Sequence, residues 1–433
     1  MNQLLAVGVF LFTYALIVLK PKKINEAHAA LIGAILSVIF LLKPHQVLEA
    51  LGISTQEMPV PLVTTWNVVI ILITLMIISS LLDDYGFFAY CARKAIHASG
   101  NSGHRLFLYT YLVVSSIALF AGNDVVILTT TPIILIFCKN AGINPKPYMY
   151  ASFFAANTFS IPLYIGNLTN ILIGDSFGLD YFGFTKYMFL PTIAAASVNY
   201  HLLKYIFRKQ IPQSFVSKDD PKDDFEVIIK NKPIVTLGLA VLLGVIIFGG
   251  IANYYKVPIS FVTLSGALIL LISERRIAHR LNRISWNVVI FVIGLFIVVK
   301  SLDASGVNSK IGEMVFTGLS DNIFIATFSM SLLSALMCNL VNNIPMTAMM
   351  LSIIQQANLS PSMNTAMGYS LVIGSNLGAN FTTFGALAGI LWLESARRYG
   401  WNTTMTDLLK IGLFVTPIAI LGASIVLAVE LSF

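Results

Sequence analysis

Matching polar interruptions in two distant, otherwise apolar stretches constrain this chain more than any other feature. The segment Trp66–Ile70 reads WNVVI, and the same five letters recur at Trp286–Ile290, 220 positions later. Further matches, 219 positions apart, pair Asn123 with Asn342, Asn157 with Asn376 and Gly166 with Gly385. A membrane chain with polar breaks at corresponding places in both halves is typical of a carrier whose site lies between the halves.

Composition places most of the chain in a lipid environment. Of the 433 residues, 57% are hydrophobic and 11% are charged, with a mean hydropathy of +0.82. Soluble domains carry about 25% charged residues, and apolar runs near the ~20 residues that span a bilayer recur along the chain. The three cysteines are far apart, so they predict neither a disulfide framework nor a metal site.

Ten apolar runs are predicted to span the membrane. They are 3–19, 27–43, 66–82, 147–173 (broken), 184–206, 232–250, 257–273, 286–301, 363–393 (broken) and 406–430. Two further pairs, 104–120 with 124–138 and 321–340 with 344–356, flank the polar segments Ala121–Asp124 and Val341–Pro345. Each pair forms either two spans or a re-entrant hairpin, whose irregular tip must be buried in protein or line a wet cavity.

The distribution of basic residues orients these spans. If Met1 lies outside and each hairpin returns to its side of entry, the inside loops collect all but five of the 27 lysines and arginines. The five outside are Lys43, Lys186, Lys256, Lys300 and Lys310. This asymmetry satisfies the positive-inside rule. It predicts a protein of the cell inner (plasma) membrane with both termini extracytoplasmic, and it explains the net charge of +7 without a nucleic-acid partner.

The span count also divides the chain into two repeats. Residues 1–207 and 232–433 each hold five spans, and a cytoplasmic linker at 208–231 joins them. The centre of the linker, Lys218–Asp224, reads KDDPKDD and is too polar to bury. The predicted fold is an all-α polytopic membrane protein of two inverted five-span repeats, each with a re-entrant helical hairpin and a broken transmembrane helix.

Asp124 is the sharpest candidate for chemistry, because an ionisable group at membrane depth is costly and marks a functional site by default. The plainer alternative is that Asp124 only caps the helix that begins after it. Asp175 and Glu394 lie near the ends of the two broken spans, where gating or proton entry competes with the simpler interpretation of solvated helix ends.

Asparagines dominate the remaining polar positions. Asn123, Asn342 and Asn343 are neutral groups that both donate and accept hydrogen bonds, which suits an uncharged, hydroxyl-bearing solute; turn formation is the structural alternative. Asn157 and Asn376 are predicted to join them in binding the solute, because the repeat places the two together. Additional candidates in the broken spans are Asn167, Asn170, Asn380 and Thr382.

Enzyme signatures are missing from the sequence. No phosphate-binding loop, His-Glu-x-x-His motif or Gly-x-Ser-x-Gly elbow occurs. We therefore expect a carrier rather than a membrane enzyme or a passive scaffold, with no cofactor and no metal.

Six further segments have a distinctive sequence, namely Leu82–Phe88, Ala118–Asp124, Ser160–Ile171, Phe207–Pro212, Val341–Pro345 and Gly374–Asn380 with Leu391-Trp392. Together they resemble the arsenite efflux permeases of the ArsB type, in the ArsB/NhaD branch of the ion transporter superfamily. The resemblance runs in order from about residue 5 to 430. It implies export of arsenite and antimonite as neutral trivalent hydroxides in exchange for protons, sometimes driven by a separate soluble ATPase subunit.

The chain departs from that family at four positions. The family commonly carries aspartate where Asn157 and Asn376 stand, and proline where Ala379 and Phe384 stand, while Asp124 and the pair Asn342-Asn343 match. Either Asp124 alone carries the protons, or the coupling differs, or the substrate has changed. The alternatives that remain are a related carrier of a different anion and a sodium/proton antiporter.

Overall fold

A computed structural model describes residues 2–19, 21, 24–51, 65–216, 228–316, 322–357 and 359–432. These residues form twenty α-helices, one 3-10 turn (Gly378–Asn380) and no strand, which confirms the predicted all-α architecture. The first ten helices are α1 (Asn2–Leu19), α2 (Glu26–Phe40), α3 (Pro44–Ala50), α4 (Thr65–Asp84), α5 (Phe87–Ala98), α6 (Gly103–Ala118), α7 (Asn123–Asn140), α8 (Lys146–Phe159), α9 (Leu168–Phe177) and α10 (Tyr181–Ile206). The second ten are α11 (Lys232–Tyr254), α12 (Ile259–Glu274), α13 (Ile277–Arg283), α14 (Trp286–Ala304), α15 (Val307–Phe316), α16 (Ile323–Val341), α17 (Asn343–Gln355), α18 (Pro361–Leu377), α19 (Leu387–Arg398) and α20 (Met405–Ser432).

Apolar helices of spanning length make this a multi-pass membrane protein. In the described part of the chain five helices are long and apolar enough to cross a bilayer, namely α4, α11, α14, α16 and α20, and α1, α2 and α12 are shorter apolar helices. Their outer faces are apolar as well; Phe248 and Ile272, for example, are 60% and 70% exposed. Apolar surface of this kind is stable against lipid rather than water.

The order of helices is the same in the two halves. Each helix of residues 2–206 has a counterpart numbered ten higher in residues 232–432. Packing between the halves repeats in the same way. Helix α4 packs against α12, and their counterparts α14 and α2 pack against each other. This order supports the predicted division at the linker, although the segment Lys218–Asp224 itself falls outside the described residues.

Contacts between helix ends define two opposite faces of the molecule. On the linker face, the ends of α4 and α12 meet, because Tyr85 Oη donates to Glu274 Oε1 at 3.0 Å. Lys230, just before α11, joins them there, since its Nζ donates to the Asp84 carbonyl at 2.9 Å. On the far face, the start of α4 and the end of α14 line one cavity through Val68 and Lys300. Helices α4 and α14 therefore run antiparallel, as an inverted repeat requires.

A buried ion-pair cluster fixes the linker face. Arg280 is 1% exposed, and it donates to Asp84 Oδ2 at 2.8 Å and to Glu274 Oε1 at 2.7 Å. Burial alone would lower the pKa of Arg280, but the hydrogen bonds and charges of Glu274 and Asp84 outweigh it and raise that pKa. Because a buried charge is tolerated only when paired, this cluster joins the two halves firmly.

Four interruptions shape the centre of the fold. Helices α6 and α7 are joined at 119–122, and α16 and α17 meet at Asn342, so each pair forms a helical hairpin. Both ends of the first hairpin lie beside the segment after α10, where Phe215 N donates to the Asn101 carbonyl and Asn144 Nδ2 to Gln210 Oε1. The broken spans α8–α9 and α18–α19 are buried over most of their length and occupy the core between the hairpins.

Candidate functional site

Asn170 stabilises the break in the first broken span. Its amide donates to the carbonyls of Ser160, Ile161 and Leu163, at 2.8, 3.2 and 2.9 Å. The Leu163 carbonyl also accepts from the Gly166 backbone N–H, but among the described residues the Ser160 and Ile161 carbonyls, which have left the helical hydrogen-bond pattern, would otherwise be unpaired in the core. Asn170 therefore has a structural role, and its side chain is fully buried.

Asn339 stabilises the second break in a similar way, although the sequence analysis did not single it out. Its Nδ2 donates to the Gly378 carbonyl at 2.8 Å, and its Oδ1 accepts from Thr382 Oγ1 at 2.6 Å. The sequence does show that Asn339 interrupts the apolar run three residues before Asn342. Thr382, a predicted additional site residue, is thus engaged in supporting the break.

A chain of three asparagines connects the first hairpin to both broken spans. Asn123 Nδ2 donates to Asn157 Oδ1 at 3.0 Å, and Asn157 Nδ2 donates to Asn380 Oδ1 at 3.0 Å. All three side chains are buried, and Asn157 and Asn380 are fully buried. The structure therefore brings together residues that are up to 257 positions apart in the sequence.

Asn376 is the centre of a second network. Its Oδ1 accepts from Asn167 Nδ2 at 2.7 Å and from Ser160 Oγ at 2.8 Å, and its Nδ2 donates to Asn170 Oδ1 at 2.9 Å. Protein groups thus occupy the amides of both Asn157 and Asn376. In this conformation neither side chain is free to bind a solute.

The second hairpin tip is attached to the second broken span. Asn342 Nδ2 donates to the Phe384 carbonyl at 3.2 Å, and the Asn343 backbone N–H donates to the Gly385 carbonyl at 3.0 Å. Asn342 has φ 69° and ψ 156°, a backbone region that is costly for any residue except glycine. The two bonds hold the tip in that strained conformation.

Between the two tips lies a cavity of about 110 Å³. Its polar lining comes from both halves and is formed by Asn123, Asp124, Asn167, Asn343 and Ser79. Leu72, Leu75 and Met76 of α4 and Val288 of α14, which sequence analysis did not pick, supply part of the apolar wall. Of the other predicted site residues, Asn157, Asn342, Asn376, Asn170, Asn380 and Thr382 lie behind the wall rather than in it.

Among the described residues, Asp124 is the one acid that lines this cavity. Helix α7 begins one residue earlier, at Asn123, and its N-cap is Gly122, so Asp124 is not the cap that the plainer interpretation required. Among the described residues its carboxylate has no hydrogen-bond partner. Its position in the first turn lets the helix dipole favour a negative charge, while the cavity keeps it accessible to a solute.

Comparisons with known proteins agree with the predicted resemblance. A family model described as a citrate transporter matches residues 14–374. The arsenical pump membrane protein of Escherichia coli K12 is 28% identical over 442 residues, covering 100% of both chains. A putative arsenical pump membrane protein of Bacillus subtilis is 24% identical and covers 95% of this chain and 96% of its own. The similarity to arsenite permeases along the whole chain is confirmed.

Two solved membrane transporters share the fold. The structure of the YdaH transporter of Alcanivorax borkumensis has a TM-score of 0.55 at 15% identity and covers 85% of each chain. That of MtrF of Neisseria gonorrhoeae, described with a class of antimetabolite efflux pumps, has a TM-score of 0.52 at 13% identity and covers 84% of this chain and 80% of its own.

Proposed function

The chain belongs to the citrate transporter family, and from that premise we propose that it is a secondary active carrier that exports arsenite and antimonite as neutral trivalent hydroxides in exchange for protons. Homologues named arsenical pump membrane protein support an arsenical transporter rather than an enzyme. The exchanged proton and the neutral state of the solute are inferred from the chemistry of the cavity.

The charge of the cavity argues for a neutral solute and against citrate. Of the residues that the structure describes, no lysine, arginine or histidine lines it, whereas Asp124 does. A tricarboxylate would meet a like charge and find no cation to pair with, which is unfavourable in a site of low dielectric. This lining is the observation that carries the proposal.

The size of the cavity points the same way. Pockets for drug-sized ligands hold roughly 300–1,000 Å³, so a cavity of about 110 Å³ suits a compact solute. Trivalent arsenite carries three hydroxyl groups, each able to donate and accept. Asn123 and Asn343, which line the cavity from the two hairpins, are suited to these hydroxyls.

Asp124 is proposed to carry the exchanged proton. An unpartnered carboxylate at membrane depth changes its protonation when water or solute enters or leaves the site. Inward movement of one proton gains roughly 2.3 kcal/mol per 100 mV of membrane potential, which can drive a neutral solute outward. Asn157 and Asn376, where the resembled family commonly has acids, are proposed to position Asn123 and Asn167 instead.

Everted membrane vesicles test the coupling directly. We expect Asp124→Asn to reduce proton-driven arsenite uptake to the level of vesicles without the carrier, and Asp124→Glu to retain part of it. Asp407→Asn, at the start of α20 and outside the cavity, is the matched control and should transport normally. Unimpaired uptake by Asp124→Asn at equal protein level would contradict the proposed role.

The rival functions differ in the driving ion. Proteoliposomes with a sodium gradient and no proton gradient should not accumulate arsenite, and citrate should not compete. Proton-driven sodium movement without any arsenite transport would favour the sodium/proton antiporter alternative, and competition by citrate would favour an anion carrier. A soluble ATPase partner, the inner membrane and an extracytoplasmic position of both termini remain proposals based on the resemblance and the charge distribution.

A further inference from the structure

Two pairs of residues occupy corresponding positions at opposite faces of the molecule. Asn67 and Asn287 each follow the tryptophan near the start of α4 and α14. Asp175 and Glu394 are each the eighth residue of their helices, because α9 begins at Leu168 and α19 at Leu387. The repeat therefore predicts that an Asn67–Asp175 contact on the far face has an Asn287–Glu394 counterpart on the linker face.

The far-face contact is made. Asn67 Nδ2 donates to Asp175 Oδ2 at 2.5 Å, and Asn67 Oδ1 accepts from the Ser260 backbone N–H at 3.3 Å. Tyr164 Oη adds a bond of 2.5 Å to Asp175 Oδ1. Asp175 is therefore not the solvated helix end that the simpler interpretation predicts, since Oδ2 binds α4 through Asn67 and Oδ1 binds Tyr164 in the break of its own span.

The linker-face contact is not made. Asn287 is exposed and has no hydrogen-bond partner among the described residues. Glu394 is 58% exposed, and its carboxylate accepts from Arg398 of the same helix at 3.0 Å. The first half thus closes a contact that the second half leaves open.

The open contact involves a residue that directly precedes the lining of the candidate site. Val288, the residue after Asn287, lines the cavity that holds Asp124. On the far face, a cavity of about 330 Å³ is lined by Val68, the residue after Asn67, but by none of the residues that line the candidate site. The closed contact therefore lies on the face whose cavity is separate from the candidate site.

We propose that Asn67–Asp175 and Asn287–Glu394 are two latches, closed in alternation, that seal the far face and the linker face during transport. The inference rests on the proposed carrier function and extends it by assigning positioning residues that never touch the solute. If the site faces each side of the membrane in turn, the contact that seals one side must break as the contact that seals the other side forms. In the second half, Thr383 stands at the position that corresponds to Tyr164, so Glu394 has no matching tyrosine hydroxyl to bind. The far-face latch is therefore the stronger of the two.

Disulfide trapping tests the alternation, with the half-buried Cys91 replaced by serine in all variants. Asn67→Cys with Asp175→Cys should cross-link rapidly in vesicles without solute. Asn287→Cys with Glu394→Cys should cross-link at least tenfold faster when arsenite and a proton gradient are both present than when neither is, because a disulfide needs Cα atoms within roughly 7 Å. Transport should stop in either cross-linked form and return on reduction.

The outcomes separate the two proposals. A wild-type chain that moves no arsenite would overturn the proposed function and the latches that depend on it. Active transport with an Asn287→Cys/Glu394→Cys pair that never cross-links, or cross-links equally fast at rest, would overturn the latches alone.

A second measurement uses the buried side chain next to the far-face latch. Val68 is 2% exposed. Asp175→Ala should raise the labelling rate of Val68→Cys by a membrane-impermeant maleimide severalfold, whereas Asp175→Asn, which still accepts from Asn67, should leave it near the level of the parent. Equal labelling in all three backgrounds would contradict a latch at Asp175.

Discussion

The two hairpin tips occupy corresponding positions in the halves, yet they differ in charge and in attachment. The first tip carries the unpartnered carboxylate of Asp124, and space is open around Gly122. The second tip carries neutral amides and is bound to the carbonyls of Phe384 and Gly385. An internal repeat has thus placed the titratable group on one side of the cavity and a fixed amide wall on the other.

The largest effect should come from exchanging the tips' charges. A double variant, Asp124→Asn with Asn343→Asp, keeps the number of acids in the cavity constant. We expect uptake to stay at background, because residue 343 is 4% exposed and an acid there loses hydration without a cation to replace it. Vesicle uptake measures this, with Asn343→Asp alone as the control. Restored transport in the double variant would show that the tips are interchangeable.

Removing the support of the first tip should cost several kcal/mol of stability. Asn157→Ala leaves Asn123 Nδ2 and Asn380 Oδ1 without partners, and each buried unpaired group costs about 1–3 kcal/mol. Thermal or denaturant unfolding in detergent measures the loss, and Asn402→Ala on an exposed loop should be neutral. If Asn157→Ala unfolds like the parent, the asparagine chain does not hold the tip.

Steric freedom should differ by a smaller margin between the first tip and the break to which the second tip is attached. A Cβ at Gly385 would lie 2.8 Å from Ala379 Cα and 2.9 Å from Asn339 Oδ1, whereas one at Gly122 meets nothing within 4 Å. Overpacking typically costs about 1–3 kcal/mol, so Gly385→Ala should lower stability and Gly122→Ala should not. Unfolding of the two single variants side by side gives the comparison, and equal stabilities would argue against close packing of the break that holds the second tip.

The smallest effect concerns backbone strain at Asn342. Glycine adopts its positive φ freely, so Asn342→Gly removes the bond to Phe384 but relieves the strain. Asn342→Ala removes the same bond and keeps the strain, and should be about 1 kcal/mol less stable than Asn342→Gly. The same unfolding assay distinguishes them. An alanine variant as stable as the glycine variant would mean that the tip relaxes out of this conformation.

Much of the fold could be predicted because lipid leaves few choices. A backbone in a bilayer must satisfy its own hydrogen bonds, so each apolar run of sufficient length predicts a helix. The breaks were also visible, since Asn123, Asn342 and the asparagines near Pro162 and Gly378 interrupt those runs. Boundaries were less certain; the first broken span continues to Phe177, beyond the predicted end at 173.

The site was only partly predictable. Asn123, Asp124, Asn167 and Asn343 line the cavity as the sequence analysis anticipated, but Asn157 and Asn376 are engaged by protein partners. From the sequence, an asparagine whose amide bonds to a neighbouring residue cannot be distinguished from one whose amide is available to a solute. Met76 and Val288 gave no signal at all, because apolar residues in a spanning helix face lipid, protein or cavity without any difference in type.

The sequence by itself determined the helical class, the repeated order of elements and the positions of the polar breaks, since lipid forbids unpaired backbone and charge asymmetry fixes which ends lie together. Only the tertiary structure decided which amides reach the cavity, why Asp124 is left without a partner, and that Asp175 is bonded while Glu394 is not. Those outcomes depend on contacts between residues more than a hundred positions apart, and the energies of such contacts follow from geometry that no local pattern of residues encodes.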